Sequence, residues 1–181
     1  MIKSKLSGIN CQQILVHGLI FLLFLAYCIF FAVPLFNMLE NTGTESRLTN
    51  ISLPAETDDT RLAIDRIAVI DARVEVEGWA AIAGQTGSDI QIFVVLKGNK
   101  NTFTFQPTQY SRGDAAKALG LALDDDNFGF LALIPGDEIR PGIYKLGICV
   151  KSGGAQALQY TDWIITKSAG TIALSNRSST Q

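Results

Sequence analysis

The sequence predicts an all-β fold: an antiparallel β-sandwich of about seven strands with one short helix, preceded by a single N-terminal transmembrane helix. Three observations carry that expectation. A long apolar run without charge lies near the amino terminus. Short segments with alternating apolar residues follow one another over about residues 61–167. Turn-forming residues separate these segments, as in antiparallel sandwiches.

The apolar run comes first. Between Lys5 and Glu40 no residue is charged unless His17 is protonated, and "ILVHGLIFLLFLAYCIFFAVPLF", Ile14 to Phe36, contains almost nothing polar. At ~1.5 Å per residue it is roughly 34 Å long as a helix, enough for a hydrocarbon core of about 30 Å with slight tilt. His17 lies near one end, within reach of headgroups, and Pro34 falls in the last turn, where a break costs little. A cleaved signal peptide has an apolar core of about 7–15 residues and a small-x-small cleavage site. Here the core is longer, and "FAVPLFNMLE" offers no such site. A lipoprotein reading ends "LAYC" at Cys28, but Tyr27 is bulky there and the apolar run continues beyond the cysteine. A helix packed in a soluble core would show a polar stripe. The expectation is an uncleaved anchor held by membrane lipid over residues 14–36. Lys3 and Lys5 precede it, whereas Glu40 and Glu45 come before Arg47 on the far side. The positive-inside rule then places residues 1–13 in the cytoplasm of an inner (plasma) membrane and the bulk in the periplasm or outside the cell.

Charge and rare residues narrow the function. Of the 15 Lys and Arg, all but Lys3 and Lys5 follow the span, together with all 17 Asp and Glu. A mildly acidic outer part does not suit nucleic acid, which calls for a basic stripe, nor does the sequence show a polybasic run for anionic lipid. Cys11, Cys28 and Cys149 fall in three different compartments, so Cys149 has no intrachain disulfide partner and is expected to be buried, with an intermolecular bridge as the minor reading. The one histidine, His17, lies in the span. The outer domain therefore has no Ser-His-Asp triad, Cys-His pair or histidine metal ligand.

The outer part reads in order. Residues 37–60, rich in Thr, Ser, Asn and acid with Pro54, read as a stalk. "RLAIDRIAVI" (61–70) holds the first strand. "DARVEVEGWAAI" (71–82) alternates: Val74, Val76 and Gly78 face one way, Arg73, Glu75, Glu77 and Trp79 the other. "DIQIFVVLKG" (89–98) is apolar on nearly both sides, which marks a central strand. "GNKN" turns into "TFTFQ" (102–106), with Phe103 and Phe105 inward. "GDAAKALGLAL" has the composition of a short helix, with Asp114 placed as its N-cap and Gly120 as its stop. "FGFLALIP" (128–135) and "IYKLGICVK" (143–151) are strands around the turn "GDEIRPG"; the second sets Tyr144, Leu146, Ile148 and Val150 on one face. "SGGAQ" closes a hairpin into "ALQYTDWIITK" (157–167), where Tyr160 and Trp163 point to opposite faces, so only one of them joins the core. The tail from Ser168 to 181 reads as disordered. These strands form a sandwich that is immunoglobulin-like in the loose sense, without the paired cysteines of antibody domains.

The segments "VEGWAAI", "IFVVLKGNKNTFTF", "SRGDAAKALG", "NFGFLALIP" and "PGIYKLGICV" come in an order that resembles bacterial extracytoplasmic sandwich domains. Such domains are found beside, or fused to, cell-envelope glycosyltransferases and polysaccharide-export proteins. The resemblance covers residues 62–167. It implies a neighbourhood, the bacterial envelope, and places Arg112 and Asp114 at a loop-to-helix junction; it carries no catalytic signature. The position of Gly113 often holds proline in that pattern.

Candidate chemistry is sparse. Arg112-Gly113-Asp114 matches an adhesion tripeptide, but an aspartate that caps a helix is not displayed on a loop tip. Glu75 and Glu77 share a strand face about 7 Å apart, wider than the pair of a retaining glycosidase, and such carboxylates are ordinarily solvated. "LDDDNFGF" (123–130) fails the spacing of an EF-hand, with Phe128 where a ligand belongs. No metal or cofactor is expected. The one binding idea is Trp79 with Glu75 and Glu77: an exposed indole stacks on a sugar ring while carboxylates accept hydroxyl hydrogen bonds. The alternative is that Trp79 folds over the sheet edge. The leading expectation is a non-enzymatic, single-pass envelope protein whose sandwich serves as an interaction or accessory module for an envelope protein or glycan, with carbohydrate binding through Trp79 as the alternative.

Overall fold

The computed structural model describes residues 11–32, 45–85, 89–121 and 127–177. The chain divides into two compact units, Met1–Gly43 and Thr44–Gln181.

In the first unit, α1 (Cys11–Tyr27) passes into a π-helical turn over Cys28–Ala32. Tyr27 and Phe31 stack there with ring centroids 5.8 Å apart. From Leu19 to Leu25 every side chain is exposed, so the apolar surface runs all round the helix. Among the described residues no helix is long and apolar enough to cross a membrane. The single helix expected over 14–36 is thus not what is found. The α-helical part begins earlier, stops at Tyr27, and spans about 26 Å at ~1.5 Å per residue. Residues 33–36 lie outside the described residues.

The second unit consists of two antiparallel sheets. The strands are β1 (Arg47–Thr49), β2 (Thr60–Ile70), β3 (Arg73–Ile82), β4 (Gln91–Lys97), β5 (Thr102–Gln106), β6 (Thr108–Tyr110), β7 (Gly129–Pro135), β8 (Gly142–Ser152), β9 (Ala155–Ser168) and β10 (Thr171–Asn176), with α2 (Gly113–Leu119) between β6 and β7. Six strands run in the order β1-β5-β4-β8-β9-β10, and four in the order β2-β3-β7-β6. The alternation read from the sequence decides which side chains meet between them. Val74 and Val76 of β3, Phe130, Ala132 and Ile134 of β7, and Leu146, Ile148 and Val150 of β8 are all fully buried in one core. Tyr144 joins it, its hydroxyl donating to the Arg140 carbonyl at 2.8 Å. Trp163 packs against this core, whereas Tyr160 packs on the opposite face of the sheet, as their alternation requires.

Two expected boundaries are overturned. Residues 45–60, expected in the stalk, belong to the fold. Ser46 exchanges two hydrogen bonds with Leu133, on the stretch of the β7 edge beyond β6. The chain then crosses to the other sheet, where β1 pairs with β5. Next it runs over the outer face of the six-stranded sheet, laying Ile51 and Leu53 on Phe93, Val95, Cys149 and Leu158. The Thr57 N–H donates to the Leu158 carbonyl at 2.9 Å. The reason is that β4 is buried along five consecutive residues, Ile92–Leu96, so both its faces need a cover. The tail beyond Ser168 likewise forms β10, whose Ile172 and Leu174 pack on the core while their neighbours stay exposed.

Two substitutions test this packing. A Cβ on Gly78 would run into the backbone carbonyl of Ala63 in β2. Gly78→Ala is therefore expected to lower stability by about 1–3 kcal/mol, read from the urea midpoint of tryptophan fluorescence. A chain ending at Ser168 is expected to melt roughly 10 °C lower, because β10 covers apolar residues; a disordered tail would leave the midpoint unchanged.

Candidate functional site

The outer face of the four-stranded sheet carries Glu75, Glu77 and Trp79, whereas Asp114 lies in α2. Alternation along β3 sends Arg73, Glu75, Glu77 and Trp79 outward, opposite the buried Val74, Val76 and Gly78. Gly129 of β7 lies directly across from both Trp79 and Tyr110. Its missing side chain leaves room for Tyr110 and Arg112 to lie over the sheet; a Cβ there would meet both.

Glu75, Glu77 and Asp114 each have a partner. Glu75, only 14% exposed, pairs with Arg66 at 3.1 Å. The Tyr110 hydroxyl donates to Glu77 Oε1 at 3.0 Å, and burial is the main cause that raises the phenol above its ordinary pKa. Arg112 donates from Nη1 to Asp65 at 2.6 Å and from Nε and Nη2 to both oxygens of Asp114, each at 2.7 Å. Asp65 sits at the bulge in β2 between Ile64 and Arg66, which frees it from the ladder register and places it within reach. Arg112 therefore ties the loop before α2 to the sheet edge two strands beyond β7.

Asp114 does not cap α2, contrary to the expectation. The N-cap is Arg112, which makes no side-chain cap hydrogen bond, and Asp114 lies in the first turn. The guanidinium captures its carboxylate and holds it at a pKa of about 2. The adhesion tripeptide is thus folded onto itself. Gly120 ends the helix in the left-handed region, φ 70°, as expected of a stop signal.

The three residues expected to bind sugar do share one face, but not as an open platform. Trp79 is half-buried and packs against the core. Its remaining surface lines a shallow depression with Arg61, Gly84, Ala118 and Leu119. Glu75 and Glu77 are both engaged, one by an arginine and one by a tyrosine. Cys149 is fully buried under Leu53 and Leu158, and burial pushes its thiol up to about 11. The Asp124–Asp126 loop lies outside the described residues; among the described residues no three His, Cys, Asp or Glu converge as metal ligands.

Sequence reasoning missed the outer face of the six-stranded sheet. There Lys97 and Lys145 both approach the ring of Tyr160. The residues are far apart in sequence, and no local pattern announces their meeting. Compared with known proteins, the chain matches no family model, no curated protein and no solved structure.

Two measurements follow. The folded pKa of Asp114 lies below its unfolded value, so its contribution is present above about pH 4 and lost as pH falls towards 2. Arg112→Gln is expected to lower the melting temperature at pH 7 and to remove part of the decline between pH 4 and 2. In the second, iodoacetamide at pH 8 is expected to leave the Cys149 peptide unlabelled by mass spectrometry until urea is added.

Proposed function

We propose that the chain is a single-pass membrane protein whose sandwich acts as a non-enzymatic interaction or accessory module on the outer side of a bacterial envelope. Its setting is surface polysaccharide assembly, and its sandwich is immunoglobulin-like in the loose sense. The observation that carries the reading is α1. Its apolar side chains point in every direction, including Leu22 at 67% and Leu23 at 63% exposure. Water does not tolerate such a cylinder, and a bilayer does. Lys3 and Lys5 before it favour a cytoplasmic amino terminus. On the sandwich, the carboxylates that share a strand face with Trp79 are committed to arginine and tyrosine partners, which supports recognition by surface over catalysis.

The test is fractionation and topology. The full chain is expected to remain in the membrane pellet after alkaline carbonate extraction. An alkaline phosphatase fused after Gln181 is expected to be active, which requires an outer location. Lysine at both Leu22 and Leu23 costs about 2.5–3.5 kcal/mol each at a span centre and is expected to release the protein. A soluble wild-type chain, or an inactive fusion, would overturn the reading.

A second reading, carbohydrate binding through Trp79, draws on the depression that its indole lines beside Arg61. Both tryptophans lie in the sandwich. Envelope glycans are then expected to change tryptophan fluorescence saturably, and Trp79→Ala to abolish the change. No response from the folded wild type would remove this reading.

A further inference from the structure

The outer face of the six-stranded sheet carries an arrangement that neither reading uses. Lys97 of β4 and Lys145 of β8 are direct cross-strand partners. Like charges so placed repel one another. Both ammonium groups sit over a single ring, Lys97 Nζ 4.9 Å and Lys145 Nζ 5.3 Å from the centroid of Tyr160 on β9. That ring is seated on Gly147, where a Cβ would come within 2.6 Å of it. Ring and lysines attract, but a ring carries no net charge, so two positive charges are left together. Among the described residues neither lysine is in an ion pair. Glu56, whose charge also acts on Tyr160, bridges to Leu158 farther along β9 and pairs with neither lysine.

The same two strands frame an open depression of about 350 Å³ at this end of the sheet. Asn99, Lys100 and Asn101 come from the turn that follows Lys97, and Ile143 and Tyr144 immediately precede Lys145. Ile143 is 66% exposed. The paired cations thus adjoin, along the same two strands, a depression lined by two asparagines and one exposed apolar side chain. The amides offer donors and acceptors suited to hydroxyl groups.

We infer that this end of the six-stranded sheet binds an acidic polysaccharide. A carboxylate lies between Lys97 and Lys145, and the adjoining sugar occupies the depression, its apolar face against Ile143 and its hydroxyls towards Asn99 and Asn101. The features favour a saccharide over other anions. Membrane surfaces are read by clusters of about 4–8 basic residues, and three lysines stand here. A free phosphate has no apolar face to set against Ile143. The inference does not depend on the anchor, and it uses the face opposite to Trp79.

The test is calorimetric titration of the full chain in a neutral detergent. Oligogalacturonate is the probe, with a maltooligosaccharide of equal length and inorganic phosphate as comparisons. Oligogalacturonate is expected to bind saturably. The Lys97→Gln/Lys145→Gln double variant is expected to weaken it at least tenfold, and Asn99→Ala/Asn101→Ala several-fold. Lys117→Gln, on the exposed side of α2, is expected to bind as the wild type does. Removing the paired charges relieves repulsion, so the lysine variant is expected to melt no lower than wild type, which separates lost binding from lost folding. Three results would overturn the inference: no oligogalacturonate binding, unchanged affinity in the double lysine variant, or phosphate or the neutral oligomer binding as tightly.

Discussion

The central strand β4 is buried on both faces, and much of the architecture answers that constraint. Five successive residues, Ile92–Leu96, are withdrawn from water. Their even-numbered members face the core shared with the four-stranded sheet, while Phe93 and Val95 face away from it. A sandwich covers only one face of each sheet. The second face needs a further layer, which the extended segment around Ile51 and Leu53 supplies. That segment is tied at Ser46 to one sheet and at β1 and Thr57 to the other. Where it stops, the outer face changes character at once, from Val95, Cys149 and Leu158 to the lysines around Tyr160.

The two outer faces of the sandwich solve their charges differently. On the four-stranded sheet each carboxylate is matched: Glu75 with Arg66, Glu77 with Tyr110, and Asp65 and Asp114 with Arg112. Arg112 is only 19% exposed and bonded through three nitrogens, so it acts as a cross-brace between a loop and a bulged edge strand. On the six-stranded sheet two like charges lie side by side over one ring. A satisfied network rigidifies a surface; an unsatisfied pair leaves affinity for an opposite charge. In an overall acidic chain, such a local excess of positive charge is a product of folding.

The helix and the sandwich bring different physics to one chain. The helix exposes apolar surface in every direction, and the sandwich buries most of its own behind charged and polar faces. On the sandwich the Glu75 and Glu77 carboxylates are committed to partners and the Cys149 thiol is deeply buried.

The period-two alternation of β3, β5 and β8 was legible in the sequence, because a half-buried strand writes its inward face into every second residue. So were the buried centre of β4, the Gly120 helix stop, the hidden Cys149 and the opposed faces of Tyr160 and Trp163. The three-residue strands β1 and β6 were not, since segments so short show no period, and β1 lies in a polar stretch. Strand β10 did alternate, but its value depended on an uncovered edge of β9 that local reading does not reveal. The sharing of one face by Glu75, Glu77 and Trp79 followed from alternation alone. Their partners did not: Arg66 and Tyr110 arrive through strand pairing, and Arg112 turns from the helix start to seize Asp114 and Asp65. By itself the sequence determined which residues turn inward, because burial follows local period. Tertiary structure alone decided which charges meet, because pairing distant strands sets those distances.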